Sequence, residues 1–146
     1  MDGKIIGKPL DPHNAYEILQ LLRNREHWVV TALAVRQAGQ KELLLEICQS
    51  QVQMRDYSDE EVNMYVTSGD PMDKAGAYAI QNDMFHPVVN FSGCVASVMG
   101  MPLCHLERTM RKNLNYQPCN ATEICQKNLK YRCPISERVM SGENIG

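Results

Sequence analysis

The residues best suited to chemistry are concentrated at positions 67–81, which read TSGDPMDKAGAYAIQ. Small residues here let the backbone approach a ligand closely, and Lys74 matches a phosphate as a point charge. The neighbouring Asp73 carboxylate suits Mg²⁺ or the orientation of a water molecule. Gln81 offers both a donor and an acceptor, which fits the edge of a base. The pattern therefore predicts a nucleotide phosphate site, and the alternative is a turn with a surface ion pair.

A second candidate lysine is Lys8, which lies between Gly7 and Pro9. The proline pushes Lys8 toward an extended backbone, so its ammonium would be displayed at the end of a strand. A solvated lysine with no ligand is the alternative, since charged side chains are mostly exposed. The four histidines show no metal-ligand spacing such as His-Glu-x-x-His.

The cysteines give a different hypothesis about function. The chain has six, and none of them forms a Cys-x-x-Cys pair. The spacing of Cys119, Cys125 and Cys133 fits no common zinc site. Because no secretion signal is visible, we expect scattered reduced thiols rather than disulfides. A metal-binding or redox module built on these three residues is the alternative.

Length, charge and hydropathy exclude several classes of protein. The chain has 146 residues, 44% of them hydrophobic and 22% charged, which is typical of a folded domain. Its formal net charge is -2, so no overall basic field would attract nucleic acid. No apolar run is long enough to span a bilayer, and the N-terminus does not resemble a signal peptide. We therefore expect a cytoplasmic protein without nucleic-acid or membrane partners.

The first half of the chain shows clear local signals. Asp11 and Pro12 are typical of a helix start, and the helix should end near Asn24. Residues 27–35 are apolar and β-branched, which predicts a buried strand. Residues 42–55 predict a second strand after a turn at 38–40. Its apolar residues change face along the strand, which suggests a bulge near Gln49.

The second half combines short elements with a change of composition. Ser58 and Glu61 have the spacing of a capping box at the start of a helix. We expect a strand at 85–91 and helices at 95–99 and 103–114. Residues 115–146 contain three cysteines and few aliphatic side chains, so we expect an irregular or helical appendage of low stability. Strands mixed with helices indicate an α/β or α+β protein.

Six segments of the chain, taken in their order along the sequence, resemble the Maf family. Members of this family are also called septum formation proteins and are nucleoside triphosphate pyrophosphatases. The most specific of these segments is DKAGAYAIQ at residues 73–81. The resemblance implies a Maf-like domain at residues 1–114, corresponding to the C-terminal two thirds of the family fold, followed by the appendage at 115–146. The matching segments are residues 3–9, 14–22, 27–34, 58–66, 69–81 and 93–103.

The resemblance also implies a fold and an activity. Family members have an α/β architecture in which an elongated mixed sheet is flanked by helices. They hydrolyse a nucleoside triphosphate to the monophosphate and pyrophosphate with a divalent cation, Mg²⁺ or Mn²⁺. An AIQ ending resembles the branch that acts on dTTP and UTP, in which Gln81 would contribute to base choice. Lys8, Asp73 and Lys74 would be the catalytic residues, with both lysines binding phosphate and Asp73 the metal candidate.

The chain departs from the family pattern at its beginning. Family members open with a Ser-x-x-x-Arg-Arg type loop and then carry an Ala-Asp-Thr segment, and this sequence has neither. Thr31-Ala32 and Ser97 also differ from the usual residues. One interpretation is a fragment of an active pyrophosphatase. The other is a catalytically impaired protein that binds nucleotide or associates with itself, in which case we expect a homodimer.

Overall fold

The computed structural model describes residues 3–114 and 116–146. Helices and strands are mixed along the chain, which confirms the α/β prediction. Within the sheet, β1, β2 and β3 are neighbours in that order, and β2 pairs with β3 in antiparallel fashion. The elements are α1 (Pro12–Leu22), β1 (Glu26–Val35), β2 (Leu44–Met54), α2 (Asp59–Thr67), β3 (Val88–Val89), α3 (Val95–Val98), α4 (Leu103–Leu114), α5 (Ala121–Leu129) and α6 (Ser136–Met140).

The contacts divide the chain into two compact units. The first consists of Met1–Trp28 and Val52–Phe91, and the second of Val29–Gln51 and Ser92–Gly146. The division falls inside β1 and β2, so each unit contains part of both strands. Residues 115–146 are not a separate unit in this division. The boundary at residue 114 that the sequence suggests stays a prediction.

Two helices of the first unit begin where the sequence predicts. The Asp11 carboxylate accepts a hydrogen bond from the backbone N–H of Asn14 at 2.8 Å, which caps α1. Ser58 and Glu61 form the complete capping box of α2, with each side chain bonded to the other residue's backbone N–H. Such caps form locally because each satisfies donors that a helix start leaves unpaired.

An aromatic group fills the core of the first unit. The rings of Tyr65 and Phe85 stack with centroids 4.3 Å apart, and Tyr57 lies 4.8 Å from Phe85. The Tyr57 hydroxyl donates to the carbonyl of Leu19 at 2.7 Å, which ties α1 to this group. The buried rings therefore hold α1 and α2 against the segment before β3 that carries Phe85.

The burial of the strands differs from the sequence prediction. β1 was expected to be buried, but its residues alternate and Trp28 is 61% exposed. β2 keeps a strict alternation in which Cys48 and Val52 are buried and Leu45 is 70% exposed. The predicted bulge near Gln49 is therefore wrong, because the side-chain period of two runs through that position unbroken. The apolar composition of β1 predicts burial, but composition does not reveal which face of a strand is covered by other elements.

β3 is much shorter than the predicted strand at 85–91. Only Val88 and Val89 pair, opposite Met54 and Gln53. His86, two residues before the strand, has φ 44°, and Asn90, directly after it, has φ 52°, so both leave the extended region. The left-handed conformations on either side end the strand.

Helix α4 has the bounds that the sequence predicts, and one buried and one partly buried carboxylate hold its surroundings. Glu107 on α4 is 3% exposed and accepts hydrogen bonds from the backbone N–H groups of Ala121 at 2.6 Å and Cys119 at 3.2 Å. Glu46 pairs with Arg108 of the same helix at 2.7 Å. Residues 116–146 are thus helical in part and tied to α4. None of the described helices is long and apolar enough to cross a membrane.

A buried histidine makes the first unit sensitive to acid. His27 Nε2 lies 3.0 Å from the Tyr78 hydroxyl, and its Nδ1 is buried without a hydrogen-bond partner. Burial lowers the pKa of His27 to about 4, against an ordinary value of 6.5. The imidazole is therefore neutral in the folded protein at pH 5, whereas in the unfolded chain it is protonated. Because the unfolded state binds more protons, stability falls as the pH falls from about 6.5 toward about 4.

We expect His27→Gln to flatten this pH dependence. In the unmodified protein the His27 contribution should lower the free energy of unfolding by about 2 kcal/mol between pH 7 and pH 5. Urea unfolding at several pH values measures it. His13→Gln is the matched control, since His13 is exposed on the same unit, and it should keep the full slope. An equal slope in all three proteins would contradict the assignment to His27.

Candidate functional site

Lys74 lies between two short 3₁₀ helices, Asp70–Asp73 and Ala75–Ala77, that follow α2. The sharp path of the chain depends on Gly76, which has φ 76°. A Cβ at this position would meet the Tyr78 ring at 3.2 Å, so both the conformation and the space favour glycine. The small residues of this segment thus allow the chain to fold tightly around Lys74.

The Lys74 ammonium is held on three sides. Its Nζ donates to the carbonyl of Asp70 at 2.7 Å, to Oδ1 of Asp70 at 3.1 Å and to Oδ1 of Asp73 at 2.6 Å. The Asp73 side chain is 81% exposed, whereas Asp70 is only partly exposed. The Lys74 ammonium is therefore held on its inner side by Asp70, and its side toward Asp73 is exposed to solvent.

Asp70 is the centre of a wider network. Its Oδ2 accepts from the Tyr65 hydroxyl at 2.7 Å and from the Asn82 amide at 3.2 Å. The same hydroxyl accepts from the backbone N–H of Ala79 at 3.0 Å. One carboxylate thus connects α2, Lys74 and the turn that carries residues 79–82.

The charges of this network stabilise one another. Burial lowers the pKa of Lys74, but hydrogen bonds to Asp73 and Asp70 outweigh it, so the pKa is raised. The pKa of Asp73 is lowered by the hydrogen bond from Lys74. For Asp70, burial raises the pKa, and the bonds from Tyr65, Lys74 and Asn82 reverse this to give a lowered pKa. All three groups are charged at neutral pH.

Lys8 reaches this loop through its neighbour. The backbone N–H of Gly76 donates to the carbonyl of Gly7 at 3.0 Å, which joins the segment of Lys8 to the Lys74 loop. Lys8 itself is exposed. The chain therefore brings the backbones of the two predicted phosphate-binding segments together, and convergence of the two ammonium groups on one ligand stays a prediction.

Gln81 is exposed on the turn that the Asp70 network holds. Its neighbour Asn82 both donates to Asp70 and accepts at Oδ1 from the N–H groups of Met84 and Phe85, at 3.1 Å and 2.7 Å. Gln81 is thus carried by a fixed turn of the same unit as Lys74. Its contact with a base stays a prediction.

Comparison with known proteins identifies the relatives of this chain. The family model described as Maf-like protein matches residues 2–113. The chain belongs to this family. A dTTP/UTP pyrophosphatase of Dictyoglomus turgidum is 43% identical over 112 residues, which cover 77% of this Maf-like chain and 58% of the relative. One of Dechloromonas aromatica is 41% identical over 117 residues, covering 80% and 57%.

A third relative extends the match toward the C-terminus. The dTTP/UTP pyrophosphatase of Dehalococcoides mccartyi strain BAV1 is 39% identical over 142 residues, covering 92% of this chain and 62% of the relative. An alignment of this extent includes part of the segment after residue 114. The Maf-like chain spans about three fifths of the length of the curated relatives that it matches.

The side chain of the metal candidate Asp73 is exposed, as it must be if it binds a cation together with substrate phosphates. Among residues 3–114 and 116–146, no three His, Cys, Asp or Glu side chains are grouped to hold a metal ion. Mg²⁺ differs from Zn²⁺ in needing only one or two carboxylates, because substrate phosphates and waters complete its shell. The exposed Asp73 carboxylate fits this mode, and in it the cation would neutralise phosphate charge.

The sequence interpretation missed the residues that position Lys74. Neither Tyr65 nor Asn82 belongs to a motif that indicates a contact with Asp70. The available signal was the spacing of four between Asp70 and Lys74, which is common for ion pairs. The contributions of Tyr65 and Asn82 depend on the path of the chain after α2, which the residue pattern does not specify.

We expect Asp70→Asn to lower the pKa of Lys74, because it removes the carboxylate charge while keeping a side chain of the same shape. A ¹³C NMR titration of the Lys74 ε-carbon measures the change. Asp83→Asn is the control, since Asp83 is an exposed carboxylate of the same unit. An unchanged Lys74 pKa in Asp70→Asn, or an equal decrease in both variants, would contradict the central position of Asp70.

Proposed function

We propose that this chain is the nucleotide-handling part of a pyrophosphatase that hydrolyses dTTP and UTP to the monophosphate and pyrophosphate. The observation that supports this most is Lys74, fixed between Asp70 and Asp73 beside the Gly7–Lys8 segment in a Maf-like chain. The relatives at 36–43% identity are named dTTP/UTP pyrophosphatases, which supports the choice of substrates.

In this proposal each residue has a separate role. Lys8 and Lys74 neutralise the phosphate chain, which is the main contribution that a protein makes to phosphoryl transfer. Asp73 holds the divalent cation or orients the attacking water. Gln81 pairs with the edge of the pyrimidine through its amide. Asp70 touches no substrate and positions Lys74.

The charge balance supports a requirement for Mg²⁺ or Mn²⁺. Lys74 contributes one positive charge, and the two carboxylates within hydrogen-bond distance contribute two negative charges. A triphosphate would therefore meet a site that is not positive unless Lys8 and a divalent cation take part. Asp73 would hold the divalent cation, which would supply positive charge against the phosphates. Lys74 then exchanges its exposed bond to Asp73 for a phosphate oxygen.

The second candidate function is nucleotide binding without efficient turnover. It is favoured by the local charges, since two carboxylates already pair with the Lys74 ammonium. Loss of one preorganised charge-stabilising group typically lowers a rate about 10²–10³-fold.

The decisive experiment compares binding and turnover of the same nucleotides. Calorimetry with dTTP, UTP, CTP, dGTP and GTP, with Mg²⁺ and then with EDTA, measures binding. We expect Mg²⁺-dependent binding of dTTP and UTP, weakened about 10-fold or more in Lys74→Gln because a charge-assisted hydrogen bond is lost. Lys41→Gln is the control, since Lys41 is exposed outside the site, and it should bind normally.

Pyrophosphate release then separates the two candidate functions. Release from dTTP and UTP by this chain, lost in Lys74→Gln, supports the enzyme. Binding with turnover at least about 10²-fold below that of the Dictyoglomus turgidum relative supports the binding protein. If Lys74→Gln and Lys41→Gln bind equally well, or if binding is unaffected by EDTA, the proposed site is wrong.

We expect Gln81→Glu to change the ranking of the nucleotides. The substitution replaces an amide, which donates and accepts, with a carboxylate that only accepts. Affinity for dTTP and UTP should fall relative to CTP, whose exocyclic amine is a donor. Gln37→Glu adds the same charge at an exposed position in the other unit and should leave the ranking unchanged. An unchanged ranking in Gln81→Glu would remove Gln81 from base recognition.

A further inference from the structure

Cysteines that are far apart in the sequence lie together in the second unit. Of the six in the chain, all but the exposed Cys119 belong to one hydrophobic cluster or pack against it. The expectation that the thiols are scattered is therefore wrong, because five of them lie together in the folded chain. All six are free. The alternative module that included Cys119 is not the grouping observed. The cluster contains Cys48, Cys94 and Cys104, and Cys125 and Cys133 pack against it.

Within the cluster, Cys94 and Cys133 form a closely associated pair. Each of the two thiols is the largest influence on the pKa of the other, so their side chains lie close together. The Cys133 sulfur also lies 3.9 Å from the carbonyl oxygen of Gly93, the residue directly before Cys94. The backbone N–H groups of Ile135 and Ser136 also act on this sulfur and lower the pKa of Cys133. Both cysteines line one small pocket of the second unit.

The two thiols differ in protonation. The hydrogen bond from Cys94 and the two backbone N–H groups outweigh burial and lower the pKa of Cys133. The same hydrogen bond, the contact with Cys48 and burial raise the pKa of Cys94. Cys133 is therefore the nucleophile of the pair, since the thiolate is the reactive form.

Cys48 is the competing partner of Cys94, and its pKa is also lowered, first by a hydrogen bond from Cys94. Its burial argues against it as the first residue to react. Cys48 is 1% exposed, and a Cβ on the C-terminal Gly146 would lie 2.6 Å from its sulfur. Cys133 is only partly buried, so a small oxidant reaches it first.

We propose that Cys133 and Cys94 are a peroxide-responsive pair that forms a disulfide. In the first step the Cys133 thiolate attacks one oxygen of hydrogen peroxide. The O–O bond breaks, the released hydroxide takes up a proton to become water, and Cys133 becomes a sulfenic acid. In the second step the Cys94 sulfur attacks the Cys133 sulfur, the S–O bond breaks, and a second water leaves as the disulfide forms. Two thiols and one peroxide thus give one disulfide and two waters.

The small size of the pocket favours a small oxidant. Its volume is about 10 Å³, which is about the space of one water molecule. Hydrogen peroxide, with two oxygen atoms, is a small oxidant that can approach the partly exposed Cys133 sulfur from solvent. A peptide disulfide is far too large to enter.

Trypsin digestion of the peroxide-treated full chain tests the pair directly. Cleavage after Lys and Arg places Cys133 in peptide 133–138, Cys48 in peptide 42–55, and Cys94 in peptide 75–108 together with Cys104. We expect mass spectrometry to show peptide 75–108 joined to 133–138, with the loss of two hydrogen atoms, and free 133–138 to disappear. The link should survive in Cys104→Ser and Cys119→Ser and be lost in Cys94→Ser.

Cys94→Ser also gives a positive result, because Cys133 should then stop at the sulfenic acid and react with dimedone. The peptide link in the unmodified protein can by itself overturn the proposal. The test therefore does not depend on whether a variant folds. A link from peptide 75–108 to 42–55 in its place would assign the disulfide to Cys48. Persistence of the link to 133–138 in Cys94→Ser, or oxidation confined to the exposed Cys119, would also overturn it.

Discussion

The arrangement of the first unit depends on one carboxylate, that of Asp70. It receives hydrogen bonds from Tyr65, Asn82 and the Lys74 ammonium, and these come from the end of α2, the following loop and the turn beyond it. A partly buried carboxylate is costly unless such donors surround it. Once they do, the donors are held at fixed positions around it. The ammonium that would meet a phosphate is therefore placed before any ligand arrives.

Carboxylates have the same organising role in the second unit. Glu107 accepts from the backbone at the start of α5, and Glu46 accepts from Arg108 and from the hydroxyl of Thr109 on α4. Arg108 continues the connection to the carbonyls of Val139 and Glu143. Hydrogen bonds to buried charges are the strong ones and are costly to break singly. The C-terminal segment is thus held by few but strong contacts, although it has few aliphatic residues.

The features that the sequence predicts correctly are those decided within a few residues. The caps at Asp11 and Ser58 depend on local donors and acceptors, and α4 begins directly after Pro102. The burial of β1 and the partners of Asp70 depend on segments distant in the chain, so residue pattern did not reveal them. The candidate site divides in the same way. Asp73 and Lys74 are adjacent and could be recognised together, whereas Tyr65 and Asn82 join them only when the chain folds back.

The short strand β3 has a consequence for how the sheet ends. The edge of a sheet exposes unpaired N–H and C=O groups that can recruit a strand from another molecule and begin aggregation. β3 offers only Val88 and Val89 for such pairing, because Pro87 has no N–H and the backbone turns away at His86 and Asn90. An incoming strand would find a ladder too short to hold it. Left-handed residues on both sides of β3 thus protect this edge from recruiting further chains.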